Sequence, residues 1–224
     1  VRELNFPQGW NIRDIDIKSL LKKLLLFTLK IPSVTRINLE FELQRQFKRL
    51  QPGRVLDVGS SNSPYKQYLP YTDYKTLDAN KHSKPDICCD IHQINWELNY
   101  FDTVIATEVL EHLCEPQKAV EEIHKVMKPG GICILSTRFI YAYHPEPQDY
   151  YRFSQDSLKY LLKDFSQVEI YPHGNRIQAI WQIINNNVYN RKLGFFLNIF
   201  NPLIARINFK DEKFPCGFVV WAQK

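Results

Sequence analysis

The sequence predicts an α/β three-layer sandwich built around a mostly parallel sheet, and three observations carry that expectation. Short apolar runs recur along the chain, and several of them end in an acid. The first, within residues 54–63 (RVLDVGSSNS), breaks into a glycine and small polar residues, as a buried strand does when it feeds a ligand-binding turn. Stretches of helical periodicity lie between the runs, and 224 residues suffice for one such domain with a full core but not comfortably for two.

Residues 1–13, with Pro7 and Gly9, carry no readable pattern. In residues 14–30, Ile17, Leu20, Leu21 and Leu24 fall at helical spacing with Lys18, Lys22 and Lys23 between them. That pattern suits a cap helix packed on the domain, which is favoured here over a cationic helix lying in a membrane interface. A second helix over about 34–50 leads to Pro52-Gly53, so residues 1–50 are expected to form a helical cap and 51–224 the sheet domain. Val55, Leu56 and Val58 make the first strand, and Gly59 permits a sharp turn close to a ligand. Ser63-Pro64 is expected to open a helix, serine as N-cap and proline at the first helical position.

The next strand, 74–77, ends in Asp78, where a carboxylate can accept hydrogen bonds from ribose hydroxyls. A third strand, 87–89, ends in Asp90-Ile91, and a fourth, 101–106, runs into TEVLEHL at 107–113. A helix over about 115–128 carries Val120, Ile123 and Met127 on one face, and KPGG at 128–131 leads to a strand at 132–136. Residues 138–153 (RFIYAYHPEPQDYYRF) form an irregular loop at the carboxyl end of the sheet, where open α/β folds bind ligands. Ser154 caps a helix to about 163, and residues 168–171 make strand six. Residues 176–207 then insert two apolar helical segments before a seventh strand at 218–223. The insertion could cover the site, pair subunits into a homodimer or rest on a membrane surface, and burial within the domain is the expectation.

The net charge of +5 comes from 29 basic residues spread along the chain, which permits an anionic substrate without demanding one and does not point to nucleic acid. Five cysteines form no CxxC pair, as expected of reduced thiols in a cytoplasmic protein. No uncharged apolar run approaches the ~20 residues that span a bilayer, and no secretion-signal pattern is present at Val1, so a soluble chain with at most peripheral membrane contact is expected.

With EVLEHL after the fourth strand and KPGG before the fifth, residues 51–165 resemble the class I S-adenosylmethionine-dependent methyltransferases, in the methyltransferase type 11-like branch. The resemblance implies a Rossmann-like seven-stranded sheet whose last strand is antiparallel, and S-adenosylmethionine as cofactor. It assigns Asp57, Gly59 and the loop with Ser61 to the methionine end, Asp78 to the ribose, Asp90 and Ile91 to the adenine, and Glu108 to the cofactor pocket. Ser61 and Ser63 stand where the family has its second and third glycines.

Methyl transfer is an in-line displacement, and a hydroxyl acceptor needs a base or a metal to take its proton. Glu108, Glu111 and His112 are spaced i, i+3, i+4 and would share a face if helical. This arrangement resembles the metal site of small-RNA 2′-O-methyltransferases and of some quinone O-methyltransferases, with His144 as a further ligand. Because EVLEHL also serves metal-free enzymes, His112 and His144 are read as general bases and no metal is expected. Asp149, beside Arg152, pairs with it in a surface turn or binds substrate, two readings of equal weight. PEPQDYYRF at 145–153 resembles methyltransferases encoded with glycan-building enzymes, so a small-molecule, carbohydrate or glycolipid hydroxyl is the leading acceptor. Metal-assisted methylation of an RNA 2′-hydroxyl or a quinone, and a non-catalytic binding module, are the alternatives.

Overall fold

The computed structural model describes residues 31–145, 147–186, 188, 191–207, 209 and 211–224. The helix expected at 14–30 lies outside them. Helix α1 (Val34–Phe47) starts at Ser33, whose hydroxyl accepts from the Arg36 amide at 3.2 Å, and it buries Leu39, Leu43 and Phe47. The sheet strands are β1 (Gly53–Val58), β2 (Tyr71–Asp78), β3 (Ile87–Cys88), β4 (Phe101–Thr107), β5 (Met127–Arg138), β6 (Gln167–His173) and β7 (Gly217–Gln223). Helices α2 (Pro116–Val126), α3 (Gln155–Leu161), α4 (Arg176–Asn186), α5 (Arg191–Asn198) and α6 (Asn201–Ala205) connect them.

The strand order is β3-β2-β1-β4-β5-β7-β6, parallel except for β7, which runs antiparallel between β5 and β6. The expected sandwich is therefore present, with its antiparallel last strand. One core, with Leu56, Val104, Ile123, Leu135 and Leu158, packs α2 and α3 against one face. The other, with Leu39, Leu43, Phe47, Val55 and Ile134, packs α1 against the opposite face. Alternate residues of a strand point to opposite faces, so Val55 and Leu56 serve different cores.

Two local expectations fail. No α-helix follows the glycine turn; residues 59–70 fold as turns with one 3-10 turn, Lys66–Tyr68. Ser63 takes φ +48° rather than a cap conformation, and Pro64 and Pro70 bracket too few residues to repay helix nucleation. The described residues of the insertion form three helices instead of two, because Pro202 starts a separate short helix at its first turn. The KPGG segment sits inside β5 as a register break: Phe101 pairs with Met127, but Thr103 pairs with Ile132. All five cysteines are unpaired.

Candidate active site

The carboxyl ends of β1, β2, β3 and β4 open into a cleft of about 830 Å³. Gly59 turns the chain at φ +65° and donates its amide to Leu77 O at 2.8 Å, which clamps the turn to the end of β2. A Cβ at this position would lie 2.5 Å from Val109 Cγ2, so glycine is required by both conformation and space. Ser61 and Ser63 adopt φ +44° and +48°, the left-handed conformation that glycine takes at no steric cost. The serines thus keep the glycine geometry.

The Asp78 carboxylate faces the cleft, held by the Ser61 amide at 3.0 Å and the Asn80 amide at 2.8 Å. Asp90 accepts from the His92 amide at 2.9 Å, which with the His92 ring holds its carboxyl below the ordinary range. Ile91, buried beside it, gives the cleft an apolar wall. Asp57 lies beneath the turn instead of in the wall: it is 2% exposed and accepts from Tyr74 Oη at 2.5 Å. Burial pushes its carboxyl up to about 6, against the Tyr74 hydrogen bond and with a smaller contribution from Asp78's charge.

EVLEHL is not a continuous helix. Glu108 sits at φ +57°, its amide donating to Ser136 O and Oγ, both at 3.0 Å, and only Leu110–His112 form a 3-10 turn. The expected common face of Glu108, Glu111 and His112 therefore does not exist. Glu108 remains in the cleft wall, accepts from Ser136 Oγ at 3.0 Å and forms an ion pair with Arg138. Glu111 is fully buried; one carboxyl oxygen accepts from Thr137 Oγ1 at 3.0 Å, and Oε1 has no hydrogen-bond partner among the described residues. Burial, reinforced by the charge of Glu108, raises its pKa well above the carboxylate range.

The loop after β5 supplies the rest. Its Tyr150 and Tyr151 amides donate to Glu111 O at 2.8 and 3.3 Å. Gln148 O contacts His112 Nδ1, and the His112 and His144 rings lie 5.0 Å apart, edge to face. Glu111, His112 and His144 each offer a ligand atom within 4.8 Å of the others. Asp149, its side chain 1% exposed, accepts from Arg152 Nη2 at 2.6 Å and the His144 amide at 2.9 Å; chiefly the Arg152 guanidinium holds its carboxyl far below the usual range. His144 is shifted down, burial outweighing Asp149.

Gly59, Ser61, Asp78, Asp90, Ile91, Glu108 and His112 thus meet in one cleft, whereas Asp57, His144 and Asp149 do not line it. Arg138 was not singled out from sequence. It joins Glu108 to the Tyr141 ring, with the guanidinium 4.2 Å from the ring centroid, and its position directly after an apolar strand at the ligand edge was the available signal.

The family described as a methyltransferase domain (type 11) matches residues 56–135. Ubiquinone biosynthesis O-methyltransferase of Psychrobacter cryohalolentis is 46% identical over 37 residues, 16% of this chain and 14% of that enzyme, so only a small part of its length is matched. Among solved structures, a methyltransferase of Thermotoga maritima aligns over 92% of this chain and 96% of its own at TM-score 0.58 and 12% identity. One from Archaeoglobus fulgidus covers 89% and 98% at TM-score 0.57 and 16% identity. Their common sheet is the one seen here, and the family match lies over the strands that wall the cleft. Residues 56–135 thus carry a type 11 methyltransferase domain match, set in the seven-stranded fold that the chain shares with S-adenosylmethionine-dependent methyltransferases.

Proposed function

We propose that the protein transfers the methyl group of S-adenosylmethionine to a hydroxyl oxygen of a small, quinol-like acceptor, with a divalent cation held by Glu111, His112 and His144. The observation that carries the reading is the buried Glu111 carboxyl, one oxygen of which has no hydrogen-bond partner among the described residues, within reach of two imidazoles beside the cleft. One carboxylate oxygen and two nitrogens fit a divalent ion of the borderline type by donor chemistry. When bound, such an ion supplies Lewis acidity that lowers the pKa of a coordinated hydroxyl. The stretch shared with a ubiquinone-pathway O-methyltransferase supports a phenolic acceptor.

Asp78 would accept from the ribose hydroxyls, and the Gly59 turn would let the methionine end approach the backbone. Ile91 and Asp90 would hold the adenine, and Glu108, fixed by Ser136 and Arg138, would line the cofactor pocket. Leu113 and the half-exposed Tyr150 also line the cleft. A second reading rests on the contact of His112 Nδ1 with Gln148 O: it commits one ring nitrogen and leaves Nε2 to take the acceptor's proton without a metal.

The test is methyl transfer to a catechol and to free sugars, before and after EDTA treatment, with magnesium, manganese or zinc added back. Transfer to the catechol that is lost on chelation and restored by one ion is the expected result. Activity indifferent to chelation removes the cation and leaves His112 as base. Methylation of sugars but not phenols overturns the acceptor class.

A further inference from the structure

The insertion between β6 and β7 has two unlike sides. Inward, it is tied down by polar contacts: Gln178 Nε2 donates to the carbonyls of Ile204, Ala205 and Ile207, and Trp181 Nε1 donates to Asn201 Oδ1 at 2.8 Å. Asn38 of α1 donates to Gln178 Oε1 at 3.0 Å. Outward, Ile177, Ile180 and Ile184 stand at i, i+3, i+7 along α4, and Phe196 of α5, Phe200 at the N-cap of α6 and Leu203 of α6 are likewise exposed. Among the described residues, every exposed Ile, Leu or Phe other than Phe41 and Leu98 falls between 177 and 214. The expectation that this segment is buried within the domain thus holds for one side only.

Charge follows the same segment. Residues 176–213 carry six Lys or Arg against two acids, so most of the chain's net +5 is concentrated there. One of the two acids, Asp211, is engaged with Arg176 at 2.7 Å. No helix among the described residues is long and apolar enough to cross a membrane. The 11 residues of α4 reach only about 16 Å, roughly half a bilayer's hydrocarbon core. Short helices with an apolar outer face, in a segment of net positive charge, lie in a headgroup layer instead of spanning it.

We propose that the α4–α6 face seats this protein on an anionic lipid bilayer, its Ile, Phe and Leu stripes at the acyl boundary and its cations, Arg206 and Lys213 among them, at the lipid phosphates. A second copy of the chain fits this face poorly, because a two-fold interface would set the cationic segment against itself. Residues 14–30 fit it poorly for the same reason, with four lysines against two aspartates. β6 runs parallel to β1–β5, so the insertion leaves the sheet at the carboxyl edge that carries the cleft. The inference does not depend on the acceptor proposed above.

The experiment is co-sedimentation of the full chain with vesicles of phosphatidylcholine alone and of phosphatidylcholine mixed with phosphatidylglycerol. Binding to the mixed vesicles that weakens as salt is raised is expected, because exposed cations are screened. The double variant Ile180→Asp/Leu203→Asp should lower the bound fraction at least ~fivefold, with an unchanged melting temperature and unchanged S-adenosylmethionine affinity. Arg206→Glu should lower it on mixed vesicles without touching the apolar stripe. Failure of the parent chain to bind either vesicle overturns the proposal. So does binding that both variants leave intact, or light scattering that shows a dimer which the double variant dissociates.

Discussion

The Ser61 amide donates to the Asp78 carboxylate at 3.0 Å, joining the turn after β1 to the acid that ends β2. The carboxylate is thereby aimed before any ligand arrives, which removes part of the ordering cost of binding. Replacing Asp78 with Ala removes the anchor for the loop and, under the proposed function, the acceptor for ribose hydroxyls. The dissociation constant for S-adenosylmethionine should rise about 10- to 100-fold, corresponding to one or two charge-assisted hydrogen bonds. Calorimetric titration reads this directly; unchanged affinity would separate Asp78 from the cofactor.

Gly59→Ala combines two penalties, a side chain at φ +65° and a Cβ 2.5 Å from Val109 Cγ2. Together they should cost about 2–4 kcal/mol in urea unfolding. Adding Val109→Ala relieves the clash but not the backbone strain, so the double variant should recover roughly half of the loss. Full recovery would mean that conformation contributes nothing.

Asp57 gives the unliganded protein a specific pH dependence. Folding raises its carboxyl to about 6, chiefly through burial, so above the unfolded value of ~3.9 the unfolded state loses the proton first. This opposes folding progressively from about pH 4 and fully above about pH 6. Asp57→Asn keeps an oxygen for the Tyr74 hydroxyl and should be more stable than the parent by up to about 3 kcal/mol at pH 7–8. The advantage should vanish near pH 4. An equal difference at both pH values would locate the effect elsewhere.

Arg138 and Glu108 are each little more than a tenth exposed, so breaking their pair leaves a charge with little water to receive it. Arg138→Met should lower unfolding free energy by about 3 kcal/mol. Arg138→Met/Glu108→Gln, which removes both charges, should be less destabilised than the single variant. A strictly additive double-mutant cycle would show that the two side chains are not coupled.

The parts of the site written in local sequence were legible. Gly59, Asp78 and Asp90 could be placed at the cleft because an apolar strand ending at an acid or glycine is a local signal, whereas Asp57, read from the same signal, lies buried beneath the turn. What was not legible depends on distant partners. The left-handed turn at Glu108 is fixed by two acceptors on Ser136, 28 residues on, and no spacing within EVLEHL reveals it. The helix expected after Ser63-Pro64 followed sound local chemistry, but the loop back to β2 is too short and too rich in proline to hold one. In the insertion, apolar periodicity located the helices, yet the same periodicity suits a face against protein and a face against solvent. The inward packing is settled by amides such as Gln178 and Asn38, whose partners lie on other elements.

The position of β7 also bears on when this protein can become whole. Residues 217–223 lie between β5 and β6, although they follow both in the chain. As the polypeptide emerges from the ribosome, β1 to β5 can associate in turn, but β6 has no neighbour to pair with until β7 is made. The α4–α6 segment is synthesised before that slot is filled. Until then β5 and β6 both present open backbone edges, the kind that recruit foreign strands. Sheet closure is therefore a late, long-range step whose rate is set by chain topology more than by local helix formation.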